Sequence, residues 1–337
     1  KLYSTYVEGW TPNEAGTVNT QFTFRPATGQ LSSRNPNVQN GPKGGKLADE
    51  WRSCLVAPPG KLMVEIDYSA FHVLTTGFQA DDELYMRLAR IDPHSFVASY
   101  FNEVKCDPID PKMSDDEIAE ATAWVKKHHK FERNKQAKPG ILGYGFGLGI
   151  NNFYEQHREH FDNKAHVKRL FDLLDKLFPK AAQWRWDVRK QAYKQGYLLS
   201  QLGYIRHFGE VFRFDTKQGK LVPGMDSEKA IAFLPANVAF GHFKDIKLTL
   251  EEKGYNEKYG WVNTIHDSLW YCTDIDLVPE MLVNVTKEMI VNSTKLVSDL
   301  VPDGLWCGVE AEIGPDMNSL QTVLNVDYKK VITVMMR

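Results

Sequence analysis

The sequence predicts an α+β fold in which a helical block interrupts an antiparallel sheet with packed helices. Three observations predict it. A short alternating strand at 61–67 stops on an aspartate, residues 80–200 are mainly helical in pattern, and strand character returns after 196, most clearly in a hairpin at 259–273.

Residues 1–60 read as extended and loop-rich, with strand-like sequence at 2–7 and turn signals at Thr28-Gly29 and Asn35-Pro36. In KLMVEID (61–67), Leu62, Val64 and Ile66 alternate with Lys61, Met63 and Glu65, the period of a half-buried strand. Helices are expected at 81–89, 114–135, 165–177 and 181–195, the second opened by a capping box of Ser114 and Glu117. Strands and turns follow over 196–222, then an amphipathic helix over 226–252. In the hairpin at 259–273, His266-Asp267 forms the bend. A long helix at 278–300 and a strand pair near 305–313 and 330–336 close the chain. No internal repeat or low-complexity segment is visible.

Composition bounds the function classes. The chain has 337 residues, 42% apolar and 25% charged, which is ordinary for a globular protein and leaves room for one large domain or two to three smaller ones. No apolar run reaches the roughly 18 residues that span a membrane, and no signal peptide is visible, so a cytoplasmic protein without a membrane partner is expected. Cys54, Cys106, Cys272 and Cys307 form no C-x-x-C pair, which argues against structural zinc and for reduced thiols. His157 and His160 lack a partner motif and read as surface histidines. The net charge of −2 does not announce a nucleic-acid binder. However, residues 126–138 (KKHHKFERNKQAK) hold six Lys or Arg against the single acid Glu132.

A carboxylate at the end of a buried strand is costly unless something pairs with it. Asp67 ends one strand and Asp267 sits at the tip of a hairpin. If those strands are neighbours, the carboxylates converge and repel, and a divalent cation relieves the repulsion. Oxygen ligands and phosphate substrates favour magnesium, and two metals ~3.5–4 Å apart can clamp the attacking and leaving oxygens of a phosphoryl transfer. Taken singly, each aspartate reads more simply as a turn or cap residue.

Four segments, in order, resemble the signature blocks of family A DNA polymerases. Residues 28–40 (TGQLSSRNPNVQN) resemble the TGRLSS-x-x-PNLQN block, which contacts primer and template. Asp67-Tyr68-Ser69 resembles the start of motif A. Residues 137–147 (AKPGILGYGFG) resemble motif B on the fingers helix, and His266-Asp267-Ser268 resembles motif C. Supporting similarities are Arg52 to Pro58, Asp92-Pro93-His94 as the family's Asp-x-His, Glu228 to Asn237 before motif C, and Val309-Glu310 to Gly314 as the C-terminal strand. Lys1 to Tyr6 resembles the strand after the thumb, and the chain reads as part of a larger protein, with a thumb and an exonuclease expected upstream.

The resemblance implies a right-hand polymerase palm interrupted by helical fingers: palm over 1–74 and 226–337, fingers over 75–225. It implies template-directed addition of dNTPs to the primer 3′-hydroxyl of primer–template DNA, with two Mg²⁺ ions on Asp67, Asp267 and the Tyr68 carbonyl. Lys138 would be the catalytic cation facing the incoming phosphates. Tyr68, His72, Arg133, Leu142, Phe146, Lys229, Asn237 and His266 would line the nucleotide site, and Gln30, Ser32, Asn37 and Gln39 would contact DNA. Asn134, Lys138, Leu142 and Phe146, spaced by four, would share one helix face over the nascent pair.

The departures from the family pattern lean towards phage-type enzymes, for which the compartment would be the host cytoplasm. His72 stands for the glutamate that closes off the ribose 2′-hydroxyl, and Asn134 for the motif B arginine, with Arg133 one residue away. Leu142 and Phe146 replace motif B aromatics, and Ser268 replaces the motif C glutamate. Gln30 and Asn237 replace the two minor-groove readers, and Lys229 replaces an arginine. Competing readings are a single-subunit RNA polymerase, whose His-Asp-Ser motif Ser268 fits, an inactive nucleic-acid-binding replisome component, and a metal-dependent nuclease. Asp67-Tyr68-Ser69 and the TG-x-LSS-x-NPN block favour the DNA polymerase.

Overall fold

At the centre of the sheet lies the Lys61–Tyr68 strand, whose alternation decides what each face carries. The computed structural model describes residues 3–23, 29–42, 45–101, 103–293 and 295–326. The chain divides into two units: 1–69, 240–296 and 303–337 form one, and 70–239 with 297–302 the other. The Ser227–Glu252 helix passes from the second unit into the first. Pro235 inside it has no N–H to give the Ile231 carbonyl. Among the described residues no helix is long and apolar enough to cross a membrane.

The first unit contains a five-stranded antiparallel sheet, in the order Gln321–Val326, Val309–Gly314, Lys61–Tyr68, Ser268–Asp274, Trp261–Ile265. Val64, Ile66 and Tyr68 are buried, while Glu65 and Asp67 between them are half-buried on the opposite face. The buried face meets helices. The Tyr68 hydroxyl donates to the Met289 carbonyl (2.7 Å) in the Val278–Ser293 helix and lies 3.1 Å from His242 Nε2 in the Ser227–Glu252 helix. Its one proton goes to the carbonyl, so Nε2 of His242 must donate to the phenol oxygen. Burial raises the Tyr68 pKa well above its usual value, with smaller contributions from Cys307 and Asp267, and holds that of His242 down at about 3, with Lys295 adding to the effect. Both side chains are therefore neutral parts of the core.

The second unit is helical, over Phe71–Ala80, Glu83–Ala89, Pro93–Ala98, Asp115–His128, Lys138–Gly145, Ile150–His157, Lys164–Leu177 and Pro179–Gln195. Two small hairpins follow, Tyr197–Leu199 with Ile205–His207 and Phe212–Asp215 with Lys220–Pro223. Side chains cap the helix starts: Asp82 accepts from the Tyr85 amide, Asp92 from His94 and Ser95, Asn163 from His166, and the Ser114–Glu117 capping box is complete.

Among the described residues several elements differ from the sequence expectation, including an α-helix at Lys46–Ser53 within the stretch read as extended. The helix expected over 114–135 ends at His128. A wide turn over Glu132–Ala137 follows, in which the Lys138 amide bonds to the Arg133 carbonyl five residues back. The break itself lies at His129, whose φ of −124° and ψ of 54° leave the helix; the wide turn then runs through helical backbone at Ala137 and Lys138 into the next helix, where Pro139, lacking an N–H, cannot bond to Lys135. Residues 3–8 form a helical turn rather than a strand. The Tyr6 hydroxyl donates to the Asn40 carbonyl, and the Tyr6, Trp10 and Trp51 rings pack together, an arrangement that sequence alternation does not show. The helix expected to reach 300 stops at Ser293, just after the Asn292 amide turns back onto the Glu288 carbonyl. The Val309–Gly314 strand pairs with Gln321–Val326. Thr28, the start of the 2–7 segment and the strand expected at 330–336 lie outside the described residues.

Candidate active site

Strand register brings the acidic groups of the first unit together. Asp67 stands opposite Ser268 on one side and Glu310 on the other. Glu65, two residues earlier on the same face, stands opposite Glu312. Glu310 and Glu312 both lie within reach of the Thr322 hydroxyl, at 3.4 and 3.2 Å. Ile265 pairs with Ser268, so His266 and Asp267 are the two central residues of the hairpin turn, and Asp267 adjoins the residue that faces Asp67. The face thus presents Asp67 with Glu65, Glu310 and Glu312 along two neighbouring strands, and the Asp267 turn lies beside the Asp67 end. Like charges directly opposite one another destabilise a sheet, so this row carries a cost.

The turn itself is strained. His266 has a φ of 56°. Two-residue hairpin turns with positive φ at this position ordinarily carry Gly or Asn. Left-handed backbone costs a non-glycine residue about 1–2 kcal/mol, and the greater freedom of unfolded glycine returns roughly half of that. His266→Gly is therefore expected to raise stability by roughly 0.5–1 kcal/mol, read from the urea midpoint. A lowered midpoint would mean that imidazole contacts outweigh the backbone strain.

Ser268 locks the same turn. Its hydroxyl donates to the Ile265 carbonyl (2.9 Å) and accepts from the Trp270 indole N–H (2.9 Å), and it is buried. Trp270 in turn packs with Ile265 and Met317. A glutamate here would have to place its charge among these groups, which gives the serine a structural reason. The other strand leading into the turn is braced by Gln39, whose buried amide donates to the Thr264 carbonyl (3.0 Å). Around it, the Ser33 hydroxyl donates to Asn37 Oδ1 and accepts from the Val38 and Gln39 amides. Gln30 and Ser32 are half-buried in the first unit. Of the four residues expected to touch DNA, Gln39 thus spends its amide on the hairpin, and Asn37 accepts from both Ser33 and Gln39.

In the second unit Lys138 is exposed at the start of the Lys138–Gly145 helix, with Leu142 and Phe146 half-buried on the following turns and Asn134 exposed before it. The His72 ring meets the edge of Phe146 at 5.4 Å between centroids, and its buried Nδ1 has no hydrogen-bond partner. Arg133 is engaged elsewhere: its guanidinium donates to both Asp92 oxygens (3.1 and 3.2 Å), to the Ser95 hydroxyl and to Asn134 Oδ1. Lys229 pairs with Asp226 at 2.7 Å, and Asn237 is fully buried.

His94 belongs with this group. It is buried, and its pKa falls to about 3 through burial, opposed by Asp92 and reinforced by Arg133 and Lys138. The ring is therefore neutral, close enough to Lys138 to feel its charge, and its Nδ1 has no hydrogen-bond partner. Sequence reasoning noted the Asp92-Pro93-His94 tripeptide without assigning His94 to the site. Its signal was the aspartate cap two residues upstream, which starts the Pro93–Ala98 helix at this point.

No group of three or more His, Cys, Asp or Glu among the described residues is arranged to hold a metal ion. Asp67 and the Asp267 turn stand at adjoining positions of the sheet and carry carboxylate oxygens, the donor type of a hard cation.

Comparison with known proteins agrees with these features. The family model for DNA polymerase family A matches residues 1–314. DNA polymerase I of Treponema pallidum is 33% identical over 213 residues, covering 61% of this chain and 19% of that protein. The thermostable DNA polymerase I of Thermus aquaticus is 26% identical over 215 residues, covering 61% of this chain and 23% of that protein. The chain thus spans about a fifth of the length of the curated relatives it matches. The POL domain of Pol1 from M. smegmatis, in complex with DNA primer-template and dNTP, superposes with a TM-score of 0.66 over 94% of this chain and 50% of that one, at 19% identity, a likeness of fold.

Proposed function

The chain belongs to DNA polymerase family A, and from that premise we propose that it carries the polymerase part of a DNA-dependent DNA polymerase, extending a primer 3′-hydroxyl with dNTPs and releasing pyrophosphate. The observation that carries this reading is the register that sets Asp67 opposite Ser268 and next to the Asp267 turn. The first unit is read as the palm and the second as the fingers. Asp67, Asp267 and the Tyr68 carbonyl would hold two Mg²⁺ ions, which when bound supply Lewis-acid stabilisation of the attacking and leaving oxygens.

The protein's own groups do the rest. The rigid hairpin, strained at His266 and locked by Ser268, holds Asp267 at a fixed position along the sheet. Lys138 offers a positive charge to the triphosphate, and His94, neutral because buried, offers a hydrogen bond to it. Leu142 and Phe146 present an apolar surface to the nascent pair. His72, held against Phe146, stands as the steric gate towards the ribose. Lys229 is assigned to the nucleotide side and Gln30, Ser32 and Asn37 to the template side, while Asn237, fully buried, supports the site from within the core. Arg133 supports this set through Asp92.

Extension of a labelled primer on a template strand, with dNTPs or rNTPs and Mg²⁺, tests the reading. Template-directed incorporation of dNTPs is expected, with rNTPs disfavoured. Preferential incorporation of rNTPs would favour an RNA polymerase, and no incorporation of either would favour a binding role.

A further inference from the structure

The Pro179–Gln195 helix and the hairpin of Phe212–Asp215 with Lys220–Pro223 carry aromatic rings that the reading above does not use. Trp186 and Tyr193 are each 51% exposed, and Phe214 is 62% exposed. Trp186 and Tyr193 lie seven residues apart, on one stripe of the helix two turns long. Phe212 joins them: its ring lies nearly parallel to Trp186 (6.0 Å, 18°) and edge-on to Tyr193 (5.5 Å, 79°). Phe214 follows two residues along the same strand face. The Trp186, Tyr193 and Phe212 rings form one connected surface, with Phe214 on the same face of the hairpin strand.

Cations accompany them. Lys190 is exposed on the same stripe, four residues after Trp186 and three before Tyr193. The Arg189 guanidinium lies 5.9 Å from the Trp186 ring and stays charged at neutral pH. Lys194 and Lys220 are exposed nearby in sequence. The acids of these elements accept local hydrogen bonds: Gln183 donates to Asp187, and the Asp215 carboxylate accepts from the backbone N–H groups of Lys217 and Gln218 and from the Gln218 side-chain amide inside its turn.

Exposed rings interleaved with lysines suit one class of ligand. Protein–protein interfaces are depleted in lysine, whereas single-stranded nucleic acid is held by basic groups along its backbone and by rings that stack on its bases. Within a duplex the base faces are buried, and only the two end pairs leave a face for a ring to stack on.

We propose that this face binds single-stranded DNA, with unpaired bases stacking on Trp186 and Tyr193 and phosphates held by Lys190. That the strand is DNA rests on the polymerase reading, but the binding needs no catalysis, so the two can fail separately. The test is fluorescence anisotropy of the intact chain with a fluorescein-labelled oligothymidylate longer than the roughly 4–16 nucleotides such sites occupy. Trp186→Ala and Tyr193→Ala are each expected to weaken binding by roughly 5- to 100-fold, while Trp186→Phe, which keeps a ring, retains most of it. Lys190→Ala should lower the salt dependence by about 0.7 in slope, and affinity for a blunt duplex should move little with either aromatic change.

Unchanged oligothymidylate affinity in the Trp186→Ala/Tyr193→Ala double variant would overturn the proposal. So would an equal loss for the duplex, or a wild-type dimer in sedimentation that the double variant abolishes without a change in DNA affinity. Should the alanine variants fail to fold, Lys190→Glu decides by the same criterion. Loss of dNTP incorporation with intact oligothymidylate binding would count against the polymerase reading alone.

Discussion

Asp67→Asn and Asp267→Asn are each expected to lower primer extension by about a thousandfold or more, since Lewis-acid stabilisation worth several kcal/mol, at 1.36 kcal/mol per decade, is lost with the metal. Neither change should unfold the chain. Asp67 lies on the sheet face opposite the buried Val64, Ile66 and Tyr68, and directly across from Glu310. Removing its charge relieves a like-charge pair, so without metal the Asp67→Asn protein should melt no lower than the wild type. The sign reverses with Mg²⁺. Binding to the folded state alone raises the melting temperature by mass action, so the wild type should gain on adding Mg²⁺ and the variants should gain less. Loss of extension with an unchanged Mg²⁺ response would show that these carboxylates act in some way other than holding metal. Retained extension by Asp267→Asn would remove the catalytic assignment altogether.

The sheet was legible in the sequence because its signals are local. Alternation marks 61–67, and a polar dipeptide between apolar runs marks the bend at His266-Asp267. That Asp67 stands next to this bend was only a conditional inference, since pairing between residues two hundred apart is decided by which strands become neighbours and not by either strand's own pattern. Glu310 and Glu312 were invisible for the same reason: in VEAEIG they read as the polar positions of a strand, and only the register makes them neighbours of Asp67 and Glu65. The break at His129 is not legible, because charged residues on both sides keep the helical pattern running. Arg133 shows the limit of position-by-position transfer. Its place in the sequence suggested a substitute for an arginine one residue away, whereas the fold closes its guanidinium on Asp92, the cap of the Pro93–Ala98 helix. The minor-groove substitutions at Gln30 and Asn237 differ in a related way, since Asn237 is fully buried and a list of residue types does not show burial.

Lys138→Ala is expected to lower the rate constant for incorporation by about a hundredfold, the scale of removing one positioned donor from a developing anion. The additional charge on the leaving bridging oxygen develops only as the transition state is approached, so kcat should fall more than the KM for dNTP rises. Lys138→Arg should recover only part of the rate, because a planar fork replaces a compact ammonium. The local structure makes Lys138 the residue to test. Asp92 neutralises Arg133, and the wide turn ending at Ala137 fixes where the new helix starts, with Lys138 exposed as its first residue. A readout independent of turnover is available in His94. Its pKa is held at about 3 first by burial and then, against the pull of Asp92, by Arg133 and Lys138. Removing the lysine takes away one of the two cations that disfavour the imidazolium, so the His94 pKa should rise while burial keeps it below the ordinary histidine value. Imidazole proton resonances followed between neutral and acid pH would show the shift. An unchanged His94 titration would mean that Lys138 points away from this group, and an unchanged kcat would remove it from the catalytic set.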